Sequence, residues 1–190
     1  ERVGIIGRSG QGKSTLLALM GGDLIPRSGQ VTLREASASV AQTTWLFTGT
    51  IADNLRIARP DATDATEADM WAALERARVA DEIRRMPSGL DTQLGEQGLG
   101  ISGGQAQRIS LARAIISGRR IILLDEPTSH VDLASEREIL AAIDDLGRDH
   151  TLIMVTHRTT TLRHMDRIIT VNNGTLTADN TLAEHHGTHR

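Results

Sequence analysis

"RVGIIGRSGQGKSTLLALMGG" occupies residues 2–22, and the order of its three parts decides the fold. A short apolar run closes at Gly7, a glycine-rich turn follows, and "KSTLLALMGG" reads as a helix stopped by Gly21 and Gly22. The turn, Gly7, Arg8, Ser9, Gly10, Gln11, Gly12, Lys13 and Ser14, fits G-x-x-x-x-G-K-[ST], the P-loop pattern. Its glycines let the backbone wrap a phosphate with N–H groups pointing inward. Lys13 brings a point charge to the β and γ oxygens, and Ser14 offers a hydroxyl to Mg²⁺. A chance glycine-rich turn would lack the strand before and the helix after; this one has both. Gly7 through Thr15 are therefore the candidate nucleotide-binding residues.

Outward from this stretch, "RRIILLDE" (Arg119–Glu126) and "HTLIMVTH" (His150–His157) are continuous apolar runs, as expected of strands buried on both faces of a parallel sheet. Such strands deliver side chains to the carboxyl edge of the sheet, where ligands bind. Asp125 is expected to bind Mg²⁺, directly or through water, and Glu126 to orient and deprotonate an attacking water. The other reading of "DEPTS", an acidic helix cap, does not need two adjacent carboxylates. His157 closes its strand at the same edge, as a γ-phosphate contact and an orienter of the water. "GQVTL" (Gly29–Leu33) and "ASVAQ" (Ala38–Gln42) are expected strands, so Gln42 also ends one. Its neutral carbonyl oxygen can join a Mg²⁺ shell and release easily.

Strands alternating with helices imply an α/β fold with a mostly parallel sheet. "SEREILAAIDDL" is an amphipathic helix, and "DRIITVNNGTLTAD" a hairpin turning at Asn172, Asn173 and Gly174. The segment from about 51 to 117 interrupts the alternation as an inserted helical subdomain. Within it Ala65–Met86 reads as one helix, with Met70, Leu74, Ala77 and Ile83 on one side, and Pro87–Gly100 as loop. "ISGGQAQRISLARA" (Ile101–Ala114) then places Ser102, Gly103 and Gly104 ahead of helical spacing at Ile109, Ala112 and Ile116. Small residues and open N–H groups at a helix start suit an anion, so the chain has a second phosphate cradle. A net charge of −3 offers no field for nucleic acid. The absence of cysteine excludes disulfides and thiolate chemistry, and no apolar run approaches membrane-spanning length.

Taken in order, "GRSGQGKST", Gln42, "ISGGQ", "IILLDE", "SHVD" and "VTHR" resemble the nucleotide-binding domain of ABC transporters, over nearly the whole chain. The resemblance implies a P-loop NTPase fold spanning residues 1–190, with ATP and Mg²⁺ as ligands. In that family two such domains face each other head to tail, each ATP lying between the P-loop of one and the "SGGQ" signature of the other. Ser102, Gly103, Gly104 and Gln105 would thus meet the partner's ATP, and Asp132 would cross the interface. The implied partners are a second nucleotide-binding domain, identical or different, and transmembrane domains at the cytoplasmic face of the plasma membrane, with ATP hydrolysis driving export.

"GLDTQLGEQG" (Gly89–Gly98) and "FTGTIADNL" resemble exporter segments; with "ARPDAT" and "GQAQR" they resemble the thiol-exporting subunits needed for cytochrome bd assembly. Ile101 stands where the family usually has Leu, and His130 and Val131 depart from its commonest wording. The stretch between Gly29 and Gln42 is short, so strands there are expected to be missing or rearranged. The family's upstream strands, with the aromatic that stacks on adenine, are absent, and Trp45, Phe47 and Trp71 do not replace it, which reads as a fragment of a longer polypeptide. A histidine-rich end (His185, His186, His189) reads as a solvated tail rather than a metal site. The alternatives are a soluble ABC ATPase without a membrane domain, a P-loop phosphotransferase, which needs no signature helix, and a half that binds ATP without hydrolysing it.

Overall fold

Short apolar runs and capped helices alternate along the chain. The computed structural model describes residues 1–59, 65–95, 100–147, 149–163 and 165–179; the terminal histidines and parts of "ARPDAT" and "GLDTQLGEQG" lie outside them. In chain order the elements are β1 (Arg2–Ile6), α1 (Lys13–Gly21), β2 (Ser37–Val40), β3 (Gly49–Thr50), α2 (Ile51–Arg56), α3 (Glu67–Arg76) and α4 (Ala80–Arg84). A 3₁₀ turn at Gly89–Asp91 leads to β4 (Gln93–Leu94) and α5 (Gly103–Ile116). There follow β5 (Ile121–Asp125), α6 (Leu133–Asp145), β6 (Thr151–Val155), α7 (Thr159–Leu162), β7 (Arg167–Asn172) and β8 (Thr175–Asp179). Among the described residues no helix is long and apolar enough to cross a membrane.

These elements fall into two compact units. The first takes Glu1–Ser39, Arg120–Glu126 and the described residues beyond 148. Its sheet has the order β2-β5-β6-β1-β7-β8. β5, β6, β1 and β7 run parallel, and β8 folds back antiparallel on β7. Asn173 (φ 46°) and Gly174 (φ 75°) make the tight turn, two positive-φ residues as a two-residue hairpin requires. Ile5, Leu17, Leu123, Val155 and Val171 form a buried cluster against α1. Register carries the functional consequence. Ile5 and Asp125 both pair with Val155, so the residues that follow each strand leave the sheet at one edge.

The second unit takes Val40–Arg119 and Pro127–Gly147; it contains all of 51–117 and extends beyond it at both ends. Its centre is α5, buried from Ala106 to Ala112 on every side, including the polar Gln107, Arg108 and Ser110. Ile51, Leu55, Met70, Leu74 and Ile83 are buried in the same unit. α2 and α3 each open on a reciprocal capping box, Thr50 with Asp53 and Thr66 with Asp69.

Four expectations are corrected. Pro87–Gly100 is not loop throughout, because Gln93 and Leu94 pair with Thr50 and Gly49 as a short antiparallel ladder. Gly29–Leu33 is not a strand; Val31 and Leu33 are exposed, and isolated extended residues without a ladder are not stable. β2 ends at Val40, so Gln42 lies two residues past it instead of closing it. The single helix over 65–86 is two, because Arg78 adopts a left-handed conformation (φ 56°). There Val79 N–H bonds to Leu74 O and Arg78 N–H to Glu75 O, the pair that closes a helix by the Schellman pattern.

Candidate functional site

Gly7 must be glycine. Its φ of 151° is rare for other residues, and a Cβ there would collide with the Val171 carbonyl. The loop it opens ends at Gly12 (φ 88°), which starts α1 with no side-chain cap and no acidic residue in the first turn. The first N–H groups of α1 are thus not covered by a protein oxygen from a cap, and the positive end of the helix dipole faces out with them. Lys13 is 5% exposed and its Nζ donates to Gly7 O (3.0 Å) and Arg8 O (2.9 Å), bending over the loop. Arg8, Ser9, Gly10, Ser14 and Thr15 are exposed around it. Gln11 is held by the hairpin: its Oε1 accepts from Asn173 N–H at 2.6 Å. Neither Val171 nor Asn173 is legible as a P-loop support, since the hairpin motif says nothing of what it lies against.

The strand ends deliver the other groups. Asp125 Oδ1 is buried and makes no hydrogen bond. A hard, unshared carboxylate oxygen fits a divalent cation of the Mg²⁺ type, with the Ser14 hydroxyl a second oxygen donor in this unit. Glu126 sits at φ 45° while its N–H donates to Val155 O at 3.0 Å, so the backbone leaves β5 in a conformation few non-glycine residues adopt. Strain of this sort collects at functional positions. His157 Nε2 and Glu126 Oε1 are 2.7 Å apart, with the carboxylate side chain 22% and the imidazole 46% exposed. The first unit thus gathers four elements at one sheet edge: the cradle, Asp125, Glu126 and His157.

The remaining candidates belong to the second unit. Ser102 caps α5 and completes a capping box: its hydroxyl accepts from Gln105 N–H (3.2 Å), and Gln105 Oε1 accepts from Ser102 N–H (2.9 Å). Gly103 is exposed and Gly104 buried. A Cβ on Gly104 would overlap the Ser135 hydroxyl, so this glycine also serves packing onto α6. Asp132, expected at an interface, is the N-cap of α6: Oδ1 accepts from Ala134 and Ser135 N–H at 2.9 Å each, and Oδ2 from the Ser135 hydroxyl at 2.8 Å. The Ser135 backbone bond, then its hydroxyl, hold the Asp132 carboxyl below the usual range. Gln42 lines a hollow of about 400 Å³ with Thr44, Gly103, Gln107 and His130. Gln107 ties this loop to α5, bonding to the Thr44 hydroxyl and to Ala41 O. That anchor was not legible, because an exposed-looking Gln on a helix gives no sign of a partner over sixty residues away.

Comparison with known proteins bears on the family of the chain. The family model described as ABC transporter matches residues 1–129. An ATP-dependent lipid A-core flippase from Photobacterium profundum is 38% identical over 187 residues, which cover 92% of this chain and 32% of that protein. A β-(1→2)glucan export ATP-binding/permease protein from Rhodopseudomonas palustris is 37% identical, covering 97% of this chain and 32% of its own length. The chain spans about a third of the length of these relatives. A solved structure, a bacterial Atm1-family ABC exporter with ATP bound, superposes with a TM-score of 0.82 at 36% identity over 93% of this chain and 33% of that one. With the family match extending over more than half of its residues, the chain belongs to the ABC transporter family.

Proposed function

We propose that this chain is the ATP-binding and ATP-hydrolysing domain of an ABC exporter, working at a head-to-tail interface with a second nucleotide-binding domain. The observation that carries the reading is the Glu126–His157 pair at 2.7 Å, on strands whose register brings them to the P-loop edge. Residues Gly7 to Thr15 bind the ATP phosphates, with Lys13 on the β and γ oxygens. Ser14 and Asp125 would hold Mg²⁺, and Gln42 is the further oxygen ligand that the family resemblance implies. When bound, the ion offsets negative charge on the β and γ oxygens. Water attacks the γ-phosphorus, its proton passes to Glu126, and the bond to the β–γ bridging oxygen breaks to release ADP. His157 Nε2–H fixes one carboxylate oxygen so that the other faces the water. Ser102, Gly103, Gly104 and Gln105 contact the ATP of the partner domain, and Asp132 sits beside them.

Relatives named as flippase and export permease support transmembrane domains as partners and a place at the cytoplasmic face of the cell membrane, where ATP is. A net charge of −3 favours no nucleic-acid partner. The test uses the full-length parent protein. Glu126→Gln should lower turnover by about 10²–10⁴-fold, the usual contribution of a positioned base, while ATP still binds. Turnover within a few-fold of the unmodified protein would remove Glu126 from this role.

A further inference from the structure

The capping box at the start of α5 depends on which way one amide faces. Ser102 N–H can only donate, so Gln105 must present Oε1 to it. Turned by 180°, the same amide would set an NH₂ against that N–H and open the box. The other end of the amide is held: Gln105 Nε2 donates to Glu82 Oε2 at 2.9 Å, and a carboxylate can only accept. Glu82, on α4, therefore selects the orientation that the box needs.

Glu82 is itself held. Its Oε1 accepts from Arg108 NH1 at 2.6 Å, and the Arg108 side chain is 4% exposed. Arg108 also donates to Gly104 O (3.2 Å) and to Arg78 O (2.8 Å), at the left-handed joint between α3 and α4. The ring of bonds thus closes on the first turn of α5 from both sides. Charge follows the same logic. An unpaired carboxylate near an anion site would repel the anion, whereas Arg108 neutralises this one. Burial pushes the Glu82 carboxyl up, but the bonds from Arg108 and Gln105 outweigh it and hold the group below its usual range.

We propose that Glu82 is a positioning residue for the signature: by fixing the Gln105 amide it keeps Ser102 capping α5 and the Gly103 and Gly104 N–H groups aligned on the partner's phosphate. The proposal rests on the reading that the start of α5 meets nucleotide. Its consequence is specific to chemistry at two positions. Gln105→Glu keeps a box-forming side chain, since Ser-x-x-Glu caps helices as well, but sets a second carboxylate against Glu82. Glu82→Gln then supplies an NH₂ to that carboxylate and restores the bond with its direction reversed.

The experiment measures ATPase turnover, nucleotide affinity and melting temperature for four variants of the full-length parent protein: Gln105→Glu, Glu82→Gln, the two combined, and Ser102→Arg. Gln105→Glu should lose roughly five- to tenfold in turnover, the size of a lost cap interaction, with nucleotide affinity at the P-loop unchanged. The combined variant should turn over faster than Gln105→Glu alone and faster than the two single losses together predict, though the carboxylate now at position 105 keeps it below the unmodified protein. A merely structural role for Glu82 predicts that the two losses add. Failure of the folded combined variant to recover while Ser102→Arg is damaging overturns the role of Glu82. A silent Ser102→Arg overturns the underlying reading of α5. Variants that melt early, with activity tracking the melting temperature, also count against positioning.

Discussion

Asn54 shows what a single polar side chain does inside the second unit. It is 1% exposed, accepts from Phe47 N–H at 2.8 Å, and donates to Phe47 O (2.9 Å) and Thr50 O (3.0 Å). One amide thereby satisfies the loop that enters α2. Asn54→Ala would remove the side-chain partner of three backbone groups of the loop that enters α2, and we expect a loss of about 1–3 kcal/mol in urea unfolding. A loss below about 0.5 kcal/mol would mean that the loop is held by something else. The sequence made Glu126 and His157 legible because each follows an apolar run, and a run of that kind fixes where its ends emerge. Asn54 and Glu82 carry no such mark. A polar residue within a helical pattern reads as solvent-facing, and only the loop or helix laid over it makes it internal.

Helix ends were legible where their chemistry is local. Gly22 (φ 83°) stops α1 as its sequence implies, whereas Arg78 stops α3 without glycine, and no local rule marks a left-handed arginine. Its guanidinium bonds to Asp145 through Nε (3.0 Å) and NH2 (2.7 Å), a partner 67 residues distant, so the break belongs to tertiary context. The capping carboxylates give this unit a pH signature. The backbone and hydroxyl of Thr50 hold Asp53 below its usual range, the hydroxyl and backbone of Thr66 do the same for Asp69, and the Ser135 bonds do so for Asp132. A folded-state value below the unfolded one means that the unfolded chain binds more protons. Each contribution is complete above the unfolded value of about 3.9 and is lost as pH falls through the lower folded value. Amide hydrogen exchange of α2, α3 and α6 should accelerate below about pH 4, after allowance for the intrinsic rate. Asp53→Asn with Asp69→Asn should flatten the acid limb for α2 and α3 and leave α6 unchanged. An identical acid limb in the double variant would show that these caps do not set it.

At the scale of the whole molecule, the sheet was legible because parallel buried strands leave continuous apolar runs, and the division into units was less so. α6 reads as one more amphipathic helix, yet it clusters with α5, through contacts such as Gly104 with Ser135 that no periodicity reveals. The result is one cradle in each unit: α1 starts without a cap or an acid in the first unit, and α5 starts on two glycines without an acid in the second. Both helix starts favour an anion by the same dipole, and a domain that bound one nucleotide alone would need only the P-loop. Sharing between two chains accounts for both, and a mixing experiment tests it. Lys13→Ala removes the P-loop charge, and Ser102→Arg puts bulk where a partner's phosphate would dock. Each variant alone has two damaged sites per dimer. A mixed dimer has one doubly damaged site and one assembled from intact halves, so hydrolysis should return towards half of the unmodified level where the parent protein is, or can be made, homodimeric. Coupling between the sites can suppress turnover even when one is intact, so nucleotide trapping is measured in the same mixed dimers. Recovery of either signal means that the two cradles act on one ATP across the interface; verified mixed dimers with neither would mean that each chain hydrolyses its own ATP with its own residues.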